Sequence, residues 1–429
     1  MFTRKRLVRA LSQRADEHQH ASFLERAQVE RGENEARGRV ALGAYLAARL
    51  IDRVIRSTGS TDDEDAIRWQ YQTTREYLVG LPPDDGEARC VSELITAASN
   101  ATGDRLRRVR EALQRYSAYL EREDRPAEAL DMLRLSAASC RDTIAPADFC
   151  ELALSAGRLN LALARPEQAA DAFLAAEEAA REAADETALL RAQLGTPGIA
   201  RLRGELARAR AAVEHVIREA SSRPGLDPVT SDAYAELGAV LQCAGRPVDA
   251  LRAMYEAFAR TTDPGERMNL LCRLGEGLAG LGEADAAQSA FELIETAGNG
   301  PGIRVRALIG SMDLASSRHN RIAFERARAA ASQLVGRLGA EPRINFLHQS
   351  AVGLARFAQF GRATAMWREA LAIAAAQRLT AWEHTIERIL AQLGGCDGVE
   401  PADAESANPA PDLALLSADL RQLAALAGR

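Results

Sequence analysis

Apolar residues recur at intervals of three and four along most of the chain, which is the spacing of one face of an α-helix. Short polar turns interrupt this pattern at regular distances. In the clearest copy the turn begins at Gly245, and the apolar positions on its two sides are Tyr234, Leu237, Leu241, Ala250, Met254 and Ala257. This spacing predicts two helices that pack together as a hairpin and are joined by the turn.

Variants of this turn occur in seven copies, each about six residues long. Their first residues lie at positions 124, 164, 204, 245, 282, 320 and 361, so the steps are 40, 40, 41, 37, 38 and 41 residues. A fixed period of this size indicates a solenoid, in which each repeat buries its apolar face against its neighbours. The sequence therefore predicts an all-α repeat protein rather than a set of separate globular domains.

Backbone geometry and close packing explain which residue types occur around the turn. Gly245 suits the left-handed backbone that ends a helix, and Pro247 suits the first turn of the next helix, where its missing N–H is no loss. Gly238, seven residues before the turn, and Ala250, five after its first residue, are small enough to let the two helices approach closely. The turn and its flanks therefore specify a tight hairpin.

These positions resemble the pattern of the tetratricopeptide (TPR) family, which Gly275, Gly282 and Ala287 also match. The resemblance covers residues 63–380 and implies a right-handed superhelical solenoid of TPR-like helix hairpins. The period of this chain exceeds the usual family repeat of about 34 residues. In this respect the chain looks like the long repeats in the sensor domains of large bacterial transcriptional activators and in kinesin light chains.

The resemblance also implies where a partner would bind, because the first helix of each TPR repeat lines a concave groove. Carried onto this sequence, the groove-facing positions are Arg115, Arg158, Glu236, Gln242, Asn269, Arg273 and Glu276. Their mixed charge suits an extended peptide or a partner helix, since arginine can hold carboxylates with two hydrogen bonds. The lysines with which one class of the family binds chaperone tails are absent, because Lys5 is the only lysine.

The composition along the chain predicts four segments. Residues 1–60 form an N-terminal helical cap with a break near Asn34, residues 61–393 the TPR-like solenoid, residues 394–411 a flexible linker, and residues 412–429 an amphipathic helix. Within the cap, residues 2–15 form a basic amphipathic helix. We expect that helix to be solvated and frayed, and docking on an acidic protein, a membrane surface or nucleic acid is the alternative.

The C-terminal helix carries a seam of leucines at intervals of three, four and three residues: Leu413, Leu416, Leu420 and Leu423. Such a seam has to be buried. Docking on the chain's own solenoid and docking on a partner, including a second copy in a homodimer, are both open at this stage.

One repeat has an irregular first helix, because Pro197 lies in its interior. A proline there removes a backbone hydrogen bond and clashes with the preceding turn, which predicts a kinked or split helix. A functional hinge and a tolerated defect explain the break equally well.

The sequence offers no catalytic, cofactor-binding or metal-ligating constellation. Residues 275–280 spell the GxGxxG of dinucleotide-binding loops, but that motif needs a preceding strand, and here it lies inside a repeat helix. A P-loop would need a lysine in its motif, and the six histidines are dispersed. We therefore expect a protein that is not an enzyme and that holds no cofactor and no metal.

Net charge and cysteine usage indicate which partners and which cellular compartment to expect. A net charge of −6 and a pI near 5.7 argue against nucleic acid as the main partner. The six cysteines form no CxxC pairs and no apolar run is long enough to span a membrane, so a reduced, cytoplasmic setting is expected.

The leading hypothesis is a non-enzymatic adaptor or scaffold that binds a protein or peptide in its concave groove. The alternative is a ligand- or peptide-sensing regulatory module that acts through a partner chain.

Overall fold

A computed structural model describes residues 2–12, 19–33, 35–57, 61–99, 105–123, 125–140, 144–223, 225–297, 300–336, 338–376, 379–395 and 418. All regular secondary structure within these residues is helical, as the sequence predicted. The chain divides into two compact units, Met1–Ala212 and Val213–Arg429, and the division falls inside one helix.

The helices of unit 1 are α1 (Phe2–Ala10), α2 (Ala21–Glu33), α3 (Glu35–Arg56), α4 (Thr61–Val79), α5 (Gly86–Ser99), α6 (Arg105–Arg122), α7 (Pro126–Ser139), α8 (Pro146–Ala162), α9 (Pro166–Glu182), α10 (Glu186–Gln193) and α11 (Gly195–Leu202). Helix α12 (Leu206–Ser221) contains the division. Those of unit 2 are α13 (Asp227–Cys243), α14 (Pro247–Arg260), α15 (Pro264–Gly280), α16 (Ala284–Thr296), α17 (Pro301–Ser317), α18 (Arg321–Val335), α19 (Ala340–Arg356), α20 (Phe360–Ala376) and α21 (Thr380–Gly395).

The repeated turn ends each first helix in the same way. Gly245 has a φ of 68°, and the next amide, of Arg246, donates to the carbonyl of Leu241 at 3.0 Å. This backbone arrangement is the Schellman motif, which satisfies carbonyls that the helix end leaves free. Ala164 takes the same conformation with a φ of 52°, although a side chain makes it less favourable there.

The small residue seven positions before the turn packs against a large side chain of the second helix. A Cβ built on Gly275 would lie 2.7 Å from Cε1 of Phe291, and one on Gly157 would lie 2.6 Å from Cε1 of Phe173. Such distances are too short for carbon atoms, so any side chain larger than that of glycine would displace the ring. The repeats are therefore helix hairpins of TPR type, with the close approach that the sequence predicted.

The predicted break at Pro197 is confirmed as a split helix. Helix α10 ends at Gln193 and α11 restarts at Gly195, which places Pro197 in the first turn of α11. Amides of a first turn have no partner within their own helix, so the proline costs no hydrogen bond there.

Unit 1 departs from a plain stack of hairpins at its N-terminal end. Helices α2 and α3 pair closely across the predicted break at residue 34, whereas α4 lies mainly on α3, and α5 lies between α3 and α6. The expectation of a solvated first helix is wrong for the described residues. Leu7, Ala10 and Leu11 are buried, and α1 packs against α8 and α9.

Unit 2 is a regular series of the hairpins α13–α14, α15–α16, α17–α18 and α19–α20, followed by α21 on α20. Its cores are apolar and are filled mainly by alanine, leucine and single large residues such as Phe291, Phe324 and Trp367. The four predicted segment boundaries stay a prediction. The leucines proposed for the C-terminal seam lie outside the described residues: Leu413, Leu416, Leu420 and Leu423.

Candidate functional site

Unit 1 contains a groove of about 770 Å³ between the end of α4, the turn that follows it, α5 and α6. One wall is apolar, and the other is charged and comes from α5 and α6. The apolar wall includes Leu78, Val79, Leu81, Pro82 and Pro83, and the charged wall includes Arg89, Glu93, Arg108, Glu111 and Arg115. We call this surface the α5–α6 groove.

Local sequence explains both walls. Arg108, Glu111 and Arg115 are separated by three and four residues, so α6 presents them on one face. Pro82 and Pro83 cannot continue α4 and hold the connection to α5 outside a helix. Apolar and charged groups therefore line the same opening.

Two features leave the α5–α6 groove open to a partner. The side chain of Val79 is 81% exposed, which is unusual for an apolar residue beside a groove. Nε of Arg115 lies 3.7 Å from Oε2 of Glu93, and both side chains are more than half exposed. An exposed pair of this kind contributes about 0–1 kcal/mol, so a ligand carboxylate can compete with Glu93 for the guanidinium.

Arg158, the second predicted residue of unit 1, lies on α8 outside this groove. Its Nε donates to Oε1 of Glu121 on α6 at 3.3 Å, and its Nη2 donates to Oγ of Ser155 at 3.2 Å. Arg158 therefore joins two successive first helices.

In unit 2, the predicted Glu236, Arg273 and Glu276 form a charged row with Arg306, spread over α13, α15 and α17. Nη2 of Arg306 donates to both carboxylate oxygens of Glu276, at 3.1 and 3.3 Å. Burial and the nearby charge of Arg306 lower the pKa of Arg273, and the acids around it, Glu266 first, offset only part of that effect. A carboxylate brought by a ligand would add charge compensation that this guanidinium lacks.

The other two predicted residues of unit 2 are less closely tied to that row. Asn269 is half-buried on α15, one turn before Arg273. Gln242 is exposed near the end of α13. The structure thus places all seven predicted groove residues on first helices, and brings Glu236, Arg273 and Glu276 into one electrostatic neighbourhood.

Sequence reasoning missed a buried ionic cluster in unit 1. Arg26 of α2 donates from Nη2 to Oε1 of Glu87 at 2.7 Å and from Nε to Glu128 at 3.2 Å. Arg125 donates to the same two carboxylates, and the hydroxyl of Tyr116 donates to Oε1 of Glu87 at 2.6 Å. We call these five residues the ionic cluster.

The ionic cluster is a structural tie rather than a reactive site. Burial alone would raise the pKa of Glu87, but Arg125 and Arg26 outweigh it and hold that pKa well below its usual range. Burial beside Glu87 raises the pKa of Tyr116, so the phenol stays protonated. Every charge thus has an opposite charge beside it, and the cluster joins α2 to α5, α6 and α7.

Packing explains the first two glycines of the GxGxxG sequence. A Cβ on Gly275 would meet Phe291, and one on Gly277 would lie 2.7 Å from Cδ2 of Leu251. Both glycines therefore serve contacts between helices. Across the described part of the chain, no cluster of three or more His, Cys, Asp and Glu residues could hold a metal ion, and no helix is long and apolar enough to cross a membrane.

No family model and no curated protein matches this chain. Several solved structures are similar to it. A Rap protein in complex with competence and sporulation factor is 11% identical, with 80% of this chain and 99% of that chain covered and a TM-score of 0.48. The Rap conjugation gene regulator of plasmid pLS20, in complex with the Phr* peptide, is 13% identical, with 78% and 97% covered and a TM-score of 0.48. The apo form of the quorum sensor NprR from B. thuringiensis is 12% identical, with 80% and 99% covered and a TM-score of 0.41. These similarities concern the helical fold alone.

Proposed function

We propose that this protein binds a peptide or a segment of a partner protein, and that the α5–α6 groove is its principal binding site. The observation that supports this proposal most directly is that an exposed apolar wall at Val79 and a charged wall at Arg115 line the same groove. Ligand sites commonly combine an apolar surface with a few polar groups that fix orientation.

The two walls define the ligand chemistry. An apolar side chain would lie against Val79 and the two prolines, and an acidic group a short distance along the segment would meet Arg115. The groove is open at the surface, and its volume of about 770 Å³ suits several residues of an extended chain, so the ligand is a chain segment. The charged row of unit 2, with Arg273 as its partly buried cation, is a second contact surface for acidic groups.

A matched pair of charge reversals tests this proposal. A library of short fluorescein-labelled peptides is screened against the full chain by fluorescence anisotropy, and the tightest binder is then measured against Arg115→Glu and Arg68→Glu. Arg68 is the control, because it lies on α4 outside the groove in a comparably exposed pair with Asp65 at 3.4 Å. We expect Arg115→Glu to weaken binding about tenfold or more and Arg68→Glu to leave it unchanged.

Two outcomes would contradict this assignment. If both reversals weaken binding equally, the peptide responds only to net charge. If neither changes binding while the peptide still binds, the α5–α6 groove is not the site, and Arg273→Glu then tests the charged row of unit 2 by the same assay.

The second candidate function is a sensing module, and the split first helix favours it. A smaller pocket of about 170 Å³ adjoins the break and is lined by residues of α9, α11 and α12, among them Leu174, Thr196 and Ile199. A ligand there would contact both α9 and the restarted helix. Hydrogen exchange of the full chain, with and without a compound that raises its melting temperature, tests this function: protection gained at residues 186–202 supports it, and unchanged exchange there contradicts it.

A further inference from the structure

Helix α1 occupies a receptor surface on unit 1 that was not evident from the sequence. Its apolar face is almost completely covered, with Leu7, Ala10 and Leu11 each at most 6% exposed. The covering helices are α8 and α9, which lie more than a hundred residues further along the chain. α1 is therefore bound as a separate helix and not as a continuation of its neighbours in sequence.

Side chains of the receptor surface bind the end of α1. Nδ2 of Asn160 donates to the carbonyl of Ala10 at 3.1 Å, and Nε of Arg134 donates to the carbonyl of Leu11 at 2.6 Å. Carbonyls at the end of a helix have no partner within it, so these two donors recognise a helix C-terminus whatever its side chains are.

Charge complementarity fixes the orientation. Arg6 pairs with Glu178 at 2.8 Å and Arg9 with Asp171 at 3.5 Å, so α1 lies antiparallel to α9. The receptor surface thus selects a short helix with an apolar face, basic residues beside it and a free C-terminal end.

Two observations indicate that α1 is an imperfect and detachable occupant. Asn160 is fully buried, and its Oδ1 has no hydrogen-bond partner, so α1 leaves an acceptor unfilled. α1 has only nine residues, and helices of that length are marginal by themselves in water. It is therefore held by its docking, through two hydrogen bonds to its last carbonyls, two ion pairs and its buried apolar face.

We propose that this surface, formed by Arg134, Asn160, Asp171, Glu178 and the apolar residues between them, is an exchangeable helix-binding site. Its external ligand is a basic amphipathic helix of a partner protein, which displaces α1. The site is separate from the α5–α6 groove, because it shares no residue with the groove lining.

The test uses the full chain and a labelled peptide with the sequence of residues 2–12. Leu7→Asp releases α1 and leaves the receptor residues intact; loss of hydrogen-exchange protection at residues 2–12, with an unchanged far-ultraviolet spectrum, verifies the release. We expect the peptide to bind the Leu7→Asp chain at least about tenfold more tightly than the wild-type chain, because only the variant has a vacant surface.

Charge reversal makes the test specific. On the Leu7→Asp background, Asp171→Arg with Glu178→Arg should abolish binding of the peptide. A peptide carrying Arg6→Glu and Arg9→Glu should restore it. The control is a basic helical peptide of unrelated sequence, whose apolar residues lie on the face opposite to the one they occupy in α1. It should bind neither the wild-type chain nor the Leu7→Asp chain.

Several results would overturn the proposal. Retained protection at residues 2–12 in Leu7→Asp would mean that α1 is not detachable. Equal binding of the peptide by the wild-type and Leu7→Asp chains would place it elsewhere, and no binding by a verified released chain would show that the surface is not a receptor. A concentration-dependent dimer of the wild-type chain that Leu7→Asp abolishes would identify a second copy's α1 as the occupant instead of a partner protein.

Discussion

Unit 1 and unit 2 are built from the same hairpin but are held together differently. In unit 2 each helix packs on helices one or two places away in sequence, the cores are apolar, and ion pairs such as Arg306–Glu276 lie exposed. In unit 1, α1 docks on α8 and α9, and Arg26 of the ionic cluster joins α2 to α5 and α7. A periodic sequence can therefore encode one part that depends only on neighbours and another that depends on long-range ties.

The largest expected difference concerns burial of charge. Glu87→Gln leaves Arg26 and Arg125 with only one shared carboxylate, that of Glu128, for two buried positive charges. Breaking a buried ion pair in this way costs about 3–5 kcal/mol. Glu276→Gln removes a pair that is almost half exposed on both sides, and should cost about 0–1 kcal/mol. Urea unfolding of the two variants measures both, with hydrogen exchange to assign the loss to a unit.

Equal losses for these two variants would contradict the distinction between the units. A loss for Glu87→Gln that appears in unit 2 and not in unit 1 would contradict the role of the ionic cluster as a local tie.

The same contrast explains what the sequence could predict. The turn at Gly245 and the contact of Gly275 with Phe291 follow from local spacing, because hairpin partners are close in sequence. The salt bridge within the turn, Arg125 to Glu128, is local in the same sense. Arg26, which lies 102 residues from Glu128 in the sequence, also binds this salt bridge. The repeat pattern does not predict that contact, because nothing in the sequence distinguishes Arg26 from the many arginines that are exposed.

The surfaces proposed here for binding could be predicted only in part. Helical spacing placed Arg115 and Arg273 correctly on first helices. It could not reveal the apolar wall of the groove that Arg115 lines, because that wall depends on how α4 ends against α5. Nor could it reveal that Asn160 donates a hydrogen bond to α1. In the sequence, an asparagine inside a helix cannot be distinguished from an exposed polar residue until its distant partner is known.

A second prediction concerns close packing within one hairpin. Gly275→Ala places a methyl group against Phe291 and should lower stability by about 1–3 kcal/mol, because the ring has to shift. Ala substitution of Gly280 on the same helix is the control, because a Cβ there meets no atom within 4 Å. Thermal unfolding of both variants is the measurement, and a larger loss for Gly280→Ala would rule out the packing account of the small residue.

The two units should also respond differently to acid. Nδ1 of His348 accepts a hydrogen bond from Nε1 of Trp367 at 3.2 Å, and burial lowers the pKa of His348 below its usual 6.5. Its contribution to unit 2 is therefore complete above pH 6.5 and declines as the pH falls towards the folded-state pKa. Glu87, whose pKa is also lowered, contributes fully above its usual 4.5, so unit 1 loses that contribution only at more acidic pH.

Tryptophan fluorescence and hydrogen exchange from pH 7 to 4 can follow this order of loss. His348→Gln should remove the earlier change, which occurs in unit 2. Earlier loss of protection in the residues of the ionic cluster would contradict the assignment.

The smallest expected effects come from the two versions of the turn. Ala164→Gly relieves a left-handed alanine in unit 1 and should raise stability by about 0.5–1 kcal/mol, whereas Gly245→Ala in unit 2 should lower it by about 1 kcal/mol. Thermal unfolding of both variants measures the pair of effects. A stabilised Gly245→Ala would show that the left-handed turn is not required.

The central claim is that a chain segment binds in the α5–α6 groove, and site-specific photocrosslinking tests it most directly. A photoreactive phenylalanine derivative is placed at Val79 in one full-length chain and at Trp69 in another. Both side chains lie on α4 and are highly exposed, but only Val79 lines the groove. The account predicts that the tightest peptide from the library crosslinks at position 79 and not at 69. Crosslinking at both positions alike, or at 69 alone, would contradict it.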